Sequence, residues 1–286
     1  MHDIVHLFAQ YLTRREFAAI EVDGDENPLS LTNSCQEKLR HLTLMLGLPT
    51  KFPVSIFDAK KLRSLSLFYD SKGQSAASPV LQGLFDQLTC LRALKIEELW
   101  YGDQTIEIPK GLENLIHLRY LKLSAVEELS ETCYCPSLKR LPQGRGKLIN
   151  LRHLIFDKDY LAYMANGFER LTSLRTLSGF TVARVGGKYS SEACNLEGLR
   201  NLNHLRQFLR ICGLGNLQMR LKINAHLEKK KNLVHLTLDF DKGEDEEDED
   251  YEEAPNLMNE ENEAKQEAIC EALQAPPNIV IRNNPL

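Results

Sequence analysis

One short frame, Leu-x-x-Leu-x-Leu, recurs along this chain and restricts what it can fold into more than any other feature. It reads most clearly from Ile108, where Ile108-Pro109-Lys110-Gly111-Leu112 leads through Leu115 to Leu118-Arg119-Tyr120-Leu121-Lys122-Leu123. The frame returns where Leu141-Pro142-Gln143-Gly144 leads through Leu148 to Leu151-Arg152-His153-Leu154-Ile155-Phe156. Earlier, Pro53 precedes Leu62-Arg63-Ser64-Leu65-Ser66-Leu67 by the same nine residues that separate Pro109 from Leu118 and Pro142 from Leu151. Leu-x-Leu puts alternate residues on one face of a short strand, and the stretch before it supplies a turn and a helical or irregular return. One such unit cannot bury its apolar face alone, so copies must stack side by side.

The frame begins at Leu39, Leu62, Leu91, Leu118, Leu151 and Leu174, with looser copies at Leu205 to Ile211 and Leu233 to Leu238. The intervals are 23, 29, 27, 33, 23, 31 and 28 residues. Most lie at or just beyond the roughly 20–29 residues of a leucine-rich repeat. The 33-residue interval points to a truncated repeat between Ser124 and Lys147, since Leu138-Lys139-Arg140-Leu141-Pro142 follows without its own strand. Arg145 stands six residues before the strand leucine, where the other repeats place Ile56, Phe85, Leu112 and Phe168. A buried unpaired charge there costs several kcal/mol, so Arg145 is expected to snorkel out or to loosen its turn.

A chain of 286 residues with 43% hydrophobic and 26% charged residues can build a large continuous core. The net charge of -5 is a local effect. Nine of the ten residues from Glu244 to Glu253 are acidic, which leaves the remainder at +4, and no global field argues for nucleic acid. The start lacks a basic segment followed by a sustained apolar run, and no stretch approaches the roughly 18 apolar residues of a membrane span. The expected location is the cytoplasm. Scattered cysteines suit a reduced compartment, and Cys133-Tyr134-Cys135 has the wrong gap for a zinc knuckle.

Met1 to about Arg15 reads as an amphipathic helix, with Ile4, Val5, Phe8, Ala9 and Leu12 at helical spacing. Phe17 to Val22 alternates as a short extended piece, and Asp23-Gly24-Asp25-Glu26-Asn27-Pro28 is a turn-rich linker. These features divide the chain into 1–28 and a repeat domain at 29–286, with a solvated acidic loop over 241–256. Glu260 to Leu273 is expected to be a helix burying Ala264, Ala268, Ile269, Ala272 and Leu273, stopped by Pro276-Pro277. Ile279-Val280-Ile281 opens a further strand, and the solenoid is expected to end on an uncapped edge prone to aggregation.

Catalytic motifs are weak. His2-Asp3-Ile4-Val5-His6 places two histidines one helical turn apart and resembles a zinc-protease helix, which gives a zinc hydrolase as a remote alternative. However, Asp3 is a methylene shorter than the usual glutamate and no third ligand is indicated. Gly144-Arg145-Gly146-Lys147 fails the phosphate-loop spacing, and the acidic run lacks the calcium-loop pattern. No enzyme, metal or cofactor is expected from this chain.

What remains is a surface. Residues flanking the inner leucine of each frame face outward if the strands line the concave side, among them His41, Lys95, Tyr120, Lys122, His153 and His235, with Phe208 and Arg210 from the looser seventh frame. Tyr120, Phe208 and Arg210 are the expected energetic anchors for a protein partner.

Met1-His2-Asp3-Ile4-Val5-His6-Leu7-Phe8-Ala9-Gln10 resembles the Met-His-Asp motif that closes the nucleotide-binding region of plant coiled-coil, nucleotide-binding, leucine-rich-repeat disease resistance proteins. The run from Leu141 through Lys147-Leu148-Ile149-Asn150-Leu151-Arg152-His153-Leu154 looks like that family's repeats. Leu7 departs from the acidic residue usual in the motif. The resemblance implies an α/β leucine-rich-repeat solenoid of about eight irregular repeats, preceded by a short helical remnant of a winged-helix domain. It implies that His2, with Asp3 beside it, senses ADP only in an intact parent protein, ADP or ATP being the parent's cofactor. The chain, starting at the motif without the phosphate loop, is then expected to be the C-terminal fragment. The implied role is plant defence, with a pathogen effector, a host guardee or the parent's nucleotide-binding domain as partner. A free-standing repeat adaptor in signalling, or a truncated decoy, is the alternative.

Overall fold

The computed structural model describes residues 16–22, 38–46, 54–69, 77–98, 110–125, 147–156, 163–183, 186, 190–191, 193–217, 225–240, 258–275 and 280–284. The chain forms two compact units, Met1–Tyr160 and Leu161–Leu286.

In the first unit, each leucine frame becomes one strand. Strands β1 (Phe17–Val22), β2 (His41–Leu46), β3 (Ser64–Tyr69), β4 (Ala93–Glu98), β5 (Tyr120–Ala125) and β6 (His153–Phe156) pair in chain order, all in parallel. The register is unbroken, so Leu42, Leu65, Leu94, Leu121 and Leu154 form one row. Leu44, Leu67, Ile96, Leu123 and Phe156 form the next, and both rows are buried. The first leucines, Leu39, Leu62, Leu91, Leu118 and Leu151, are buried as well. A side chain of this size gains roughly 1.5–3 kcal/mol on full burial, which explains why an irregular interval is tolerated as long as the frame itself is kept.

The returns vary where the strands do not. Short 3₁₀ turns cover Val54–Asp58 and Lys110–Asn114, while helix α1 (Ala77–Gln87) fills the return before β4. All three supply the same apolar plug: Ile56, Phe85 and Leu112, six residues before the strand leucine, are buried. The sheet begins at Phe17, ahead of the linker at 23–28. The Met1 to Arg15 helix with His2, Asp3 and His6, that linker, the truncated repeat with Arg145, the Cys133–Cys135 pair and the acidic run lie outside the described residues.

The second unit contains β7 (Thr176–Leu177), β8 (Phe180–Thr181), β9 (Arg206–Cys212), β10 (Asn232–Asp239), helix α2 (Met258–Leu273) and β11 (Val280–Asn284). Its parallel four-stranded sheet has the order β11-β10-β9-β8. The sixth frame, Leu174 to Gly179, does not make one strand. Gly179 stands where other frames place a second inward side chain, and Phe180, one residue later, is fully buried instead. Its ring meets Phe168 edge-on with centroids 5.8 Å apart. A slip of one residue reverses the inward and outward faces, so the strand breaks into β7 and β8.

The seventh frame carries one extra residue between Leu205 and Leu209, both buried, with Gln207 between them in the left-handed region at φ 63°. Opposite it, the register with β10 shifts between Leu233 and His235. Helix α2 buries Ile269 and Leu273, but Ala264, Ala268 and Ala272 are exposed, contrary to the five-residue face expected. Ile269 and Leu273 line up one turn apart, and each alanine precedes such a position by one residue, about 100° around the helix. The final strand β11 runs on to Asn284, past the short opening expected at Ile279 to Ile281, and pairs with β10.

Candidate interaction surface

Because the inward rows are fixed, the outward rows are fixed too. Across the first unit they read His41, Ser64, Ala93, Tyr120, His153, then Thr43, Ser66, Lys95, Lys122, Ile155, then Met45, Phe68, Glu97, Ser124. Phe17, Ala19 and Glu21 on β1 extend the three rows by one strand. Neighbouring rungs lie about 4.8 Å apart, and successive outward residues of one strand about 6.8 Å apart.

Five residues expected on a binding face, His41, Lys95, Tyr120, Lys122 and His153, therefore stand on one sheet face. His41 Nδ1 lies 2.7 Å from Ser64 Oγ. The rings of Tyr120 and His153 sit 6.2 Å apart, tilted by 43°. Lys95 Nζ lies 4.7 Å from the centroid of the Phe68 ring and 2.6 Å from Glu97 Oε2, while Lys122 Nζ lies 2.8 Å from Glu97 Oε1. Ser124 Oγ donates to the same Oε1 at 3.2 Å. Burial pushes the Glu97 carboxyl up, but hydrogen bonds and charge from Lys122 and Lys95 outweigh it and hold it below the ordinary carboxylate value. One buried carboxylate thus fixes two ammonium groups and leaves the cluster with one net positive charge.

The other three expected residues lie in the second unit. Phe208 and His235 face each other in register, and Phe208 is exposed. Arg210 stands opposite Thr237, and its Nη2 pairs with Asp239 Oδ2 at 2.6 Å. With only 19% of its side chain exposed, Arg210 orders the face more than it projects from it.

The third outward row, Met45, Phe68, Glu97 and Ser124, is not among the sequence-predicted residues. Carrying the alternation three residues past the inner leucine of each frame gives it directly. Among the described residues, no group of three or more His, Cys, Asp or Glu side chains could hold a metal ion, and no helix is long and apolar enough to cross a membrane. His2 and Asp3, expected to sense ADP in an intact parent, and His6, the second histidine of the remote zinc alternative, lie outside the described residues.

Residues 61–278 match the family described as a leucine-rich repeat region. Among solved structures, a leucine-rich-repeat protein of Leptospira interrogans matches at 15% identity, covering 93% of this chain and 89% of its own, with a TM-score of 0.23. No curated protein matches the sequence.

Proposed function

The chain belongs to the leucine-rich-repeat family, and we propose that it works by binding another protein on the outward rows of its parallel sheet. Folds of this kind are typically interaction scaffolds rather than enzymes. The observation that carries the reading is the unbroken register from β2 to β6, which aligns aromatic, imidazole and ammonium groups on one rigid face. Interfaces draw their energy from such anchors, above all Tyr, Trp and Arg.

The finer reading is that the chain is the recognition and autoinhibitory region of an intracellular plant disease resistance protein. Its support is the resemblance of Met1 to Gln10 to the Met-His-Asp motif, together with membership of the repeat family. A two-hybrid screen of the chain against plant and pathogen proteins tests both levels. The expected interactors include a nucleotide-binding domain or a pathogen protein, and Tyr120→Ala weakens them by tenfold or more, as about 1.4 kcal/mol or more at a hot spot requires. Interactors indifferent to Tyr120→Ala and Lys122→Ala would count against the face. Interactors from neither class would count against the resistance reading alone.

A further inference from the structure

We propose that an arginine row at the entry to the first unit's strands binds an extended acidic segment of a partner protein. The residue after the first leucine of every frame in this unit is arginine: Arg40, Arg63, Arg92, Arg119 and Arg152. Inter-strand pairing starts at these residues. The Arg63 amide donates to the Arg40 carbonyl at 2.7 Å, Arg92 to Arg63 at 2.7 Å, Arg119 to Arg92 at 2.7 Å and Arg152 to Arg119 at 2.8 Å. Successive rungs are therefore one strand spacing apart, about 4.8 Å, and the five cover roughly 19 Å. Arg63, Arg92 and Arg119 are exposed, and Arg40 and Arg152 are partly so.

Five guanidinium groups at that pitch repel one another, and the unit offers them little compensation. Among the described residues none of the five makes an ion pair, and their one side-chain hydrogen bond runs from Arg40 Nη1 to the Lys61 carbonyl at 3.4 Å. Carboxylates of the returns are engaged elsewhere: Asp86 accepts from Gln82 and Asn114, and Glu113 pairs with Lys147. Lys38, Lys60 and Lys61 outnumber the remaining Glu16 and Asp58. A row of unneutralised positive charges attracts carboxylates and steers them in from a distance.

Carboxylates on one side of an extended peptide recur about every 6.8 Å, within reach of long flexible side chains at this pitch. A single nucleic-acid strand needs aromatic platforms at successive rungs, and Ser64 and Ala93 interrupt the adjacent row. The proposal rests on the reading of this sheet as a protein-binding surface and adds the chemistry of the partner.

Fluorescence anisotropy of a labelled deca-glutamate peptide, titrated with the full chain, is the test. The expected result is saturable binding that weakens with salt and is reduced about tenfold or more by R63Q/R92Q/R119Q. R63K/R92K/R119K, which keeps the charge, should bind much as the natural chain does. Absence of binding, or equal binding by the glutamine variant, overturns the proposal without touching the outward rows that Tyr120→Ala probes. Tighter binding of a uridine decamer overturns it in favour of nucleic acid. Binding that emerges only after the acids of Glu244 to Glu253 are replaced by glutamine also overturns it, and assigns the row to the chain's own acidic run.

Discussion

Lys230 stands three residues before Leu233, where five other repeats bury Ala59, Leu88, Leu115, Leu171 and Leu202. It is fully buried too, and its Nζ donates to the Leu199 carbonyl at 2.8 Å. Burial pushes its pKa down from 10.5 to about 8, with Glu228 opposing the shift and Lys229 adding to it. Between those two values the unfolded chain keeps a proton that the folded chain has released, so stability rises with pH across that window; below pH 8 the cost of the buried ammonium is present in full. Urea melts of the natural chain and Lys230→Met check this. Their stability difference should move towards the natural chain by on the order of 2 kcal/mol between pH 7.5 and 10, whereas a constant difference would speak against a depressed pKa. Gly198 shows the opposite constraint. A Cβ there would collide with the buried Cys194 Sγ, so Gly198→Ala should cost about 1–3 kcal/mol. Cys194→Ala in the same chain should recover most of the loss, and a double-mutant cycle without coupling would disprove the contact.

Among the strands and helices, what repeats could be read and what departs from the repeat could not. The frame leucines announce β2 to β6 because each buries the same alternate positions, and the apolar place six residues earlier reads equally well through Ile56, Phe85 and Leu112. The break between β7 and β8 hangs on Gly179 and Phe180, a one-residue change of phase that a leucine pattern does not register. Helix α1 has no signature of its own in the frame, since a 3₁₀ turn can deliver the same apolar plug. Lys230 and the arginine row are visible as columns once the frames are aligned, but their meaning needs the burial of one and the exposure of the other. In α2, packing rests on the line from Ile269 to Leu273. Leu273→Ala should therefore lower stability by about 3 kcal/mol, and Ala268→Ser should stay within about 0.5 kcal/mol; comparable thermal shifts for the two would mean that another face is buried.

The outward rows of β1 to β6 form one surface of the first unit. Five of the eight residues expected on a binding face do share it, because strand alternation and parallel register follow from the frame alone. Its electrostatic centre did not follow, since Glu97 becomes meaningful only when Lys95 and Lys122 converge on it from adjacent strands. With its carboxyl held below the ordinary value, Glu97 contributes stability that is present above the unfolded value near 4.5 and lost as pH falls through the folded one. The most direct measurement is hydroxyl-radical footprinting of the full chain with and without a partner recovered by the two-hybrid screen. Protection of Met45, Phe68, Tyr120 and His153 is the expected result. Protection of Phe57, which packs beside Gly83 of α1, with those four residues unchanged would contradict the assignment of the partner to the sheet face.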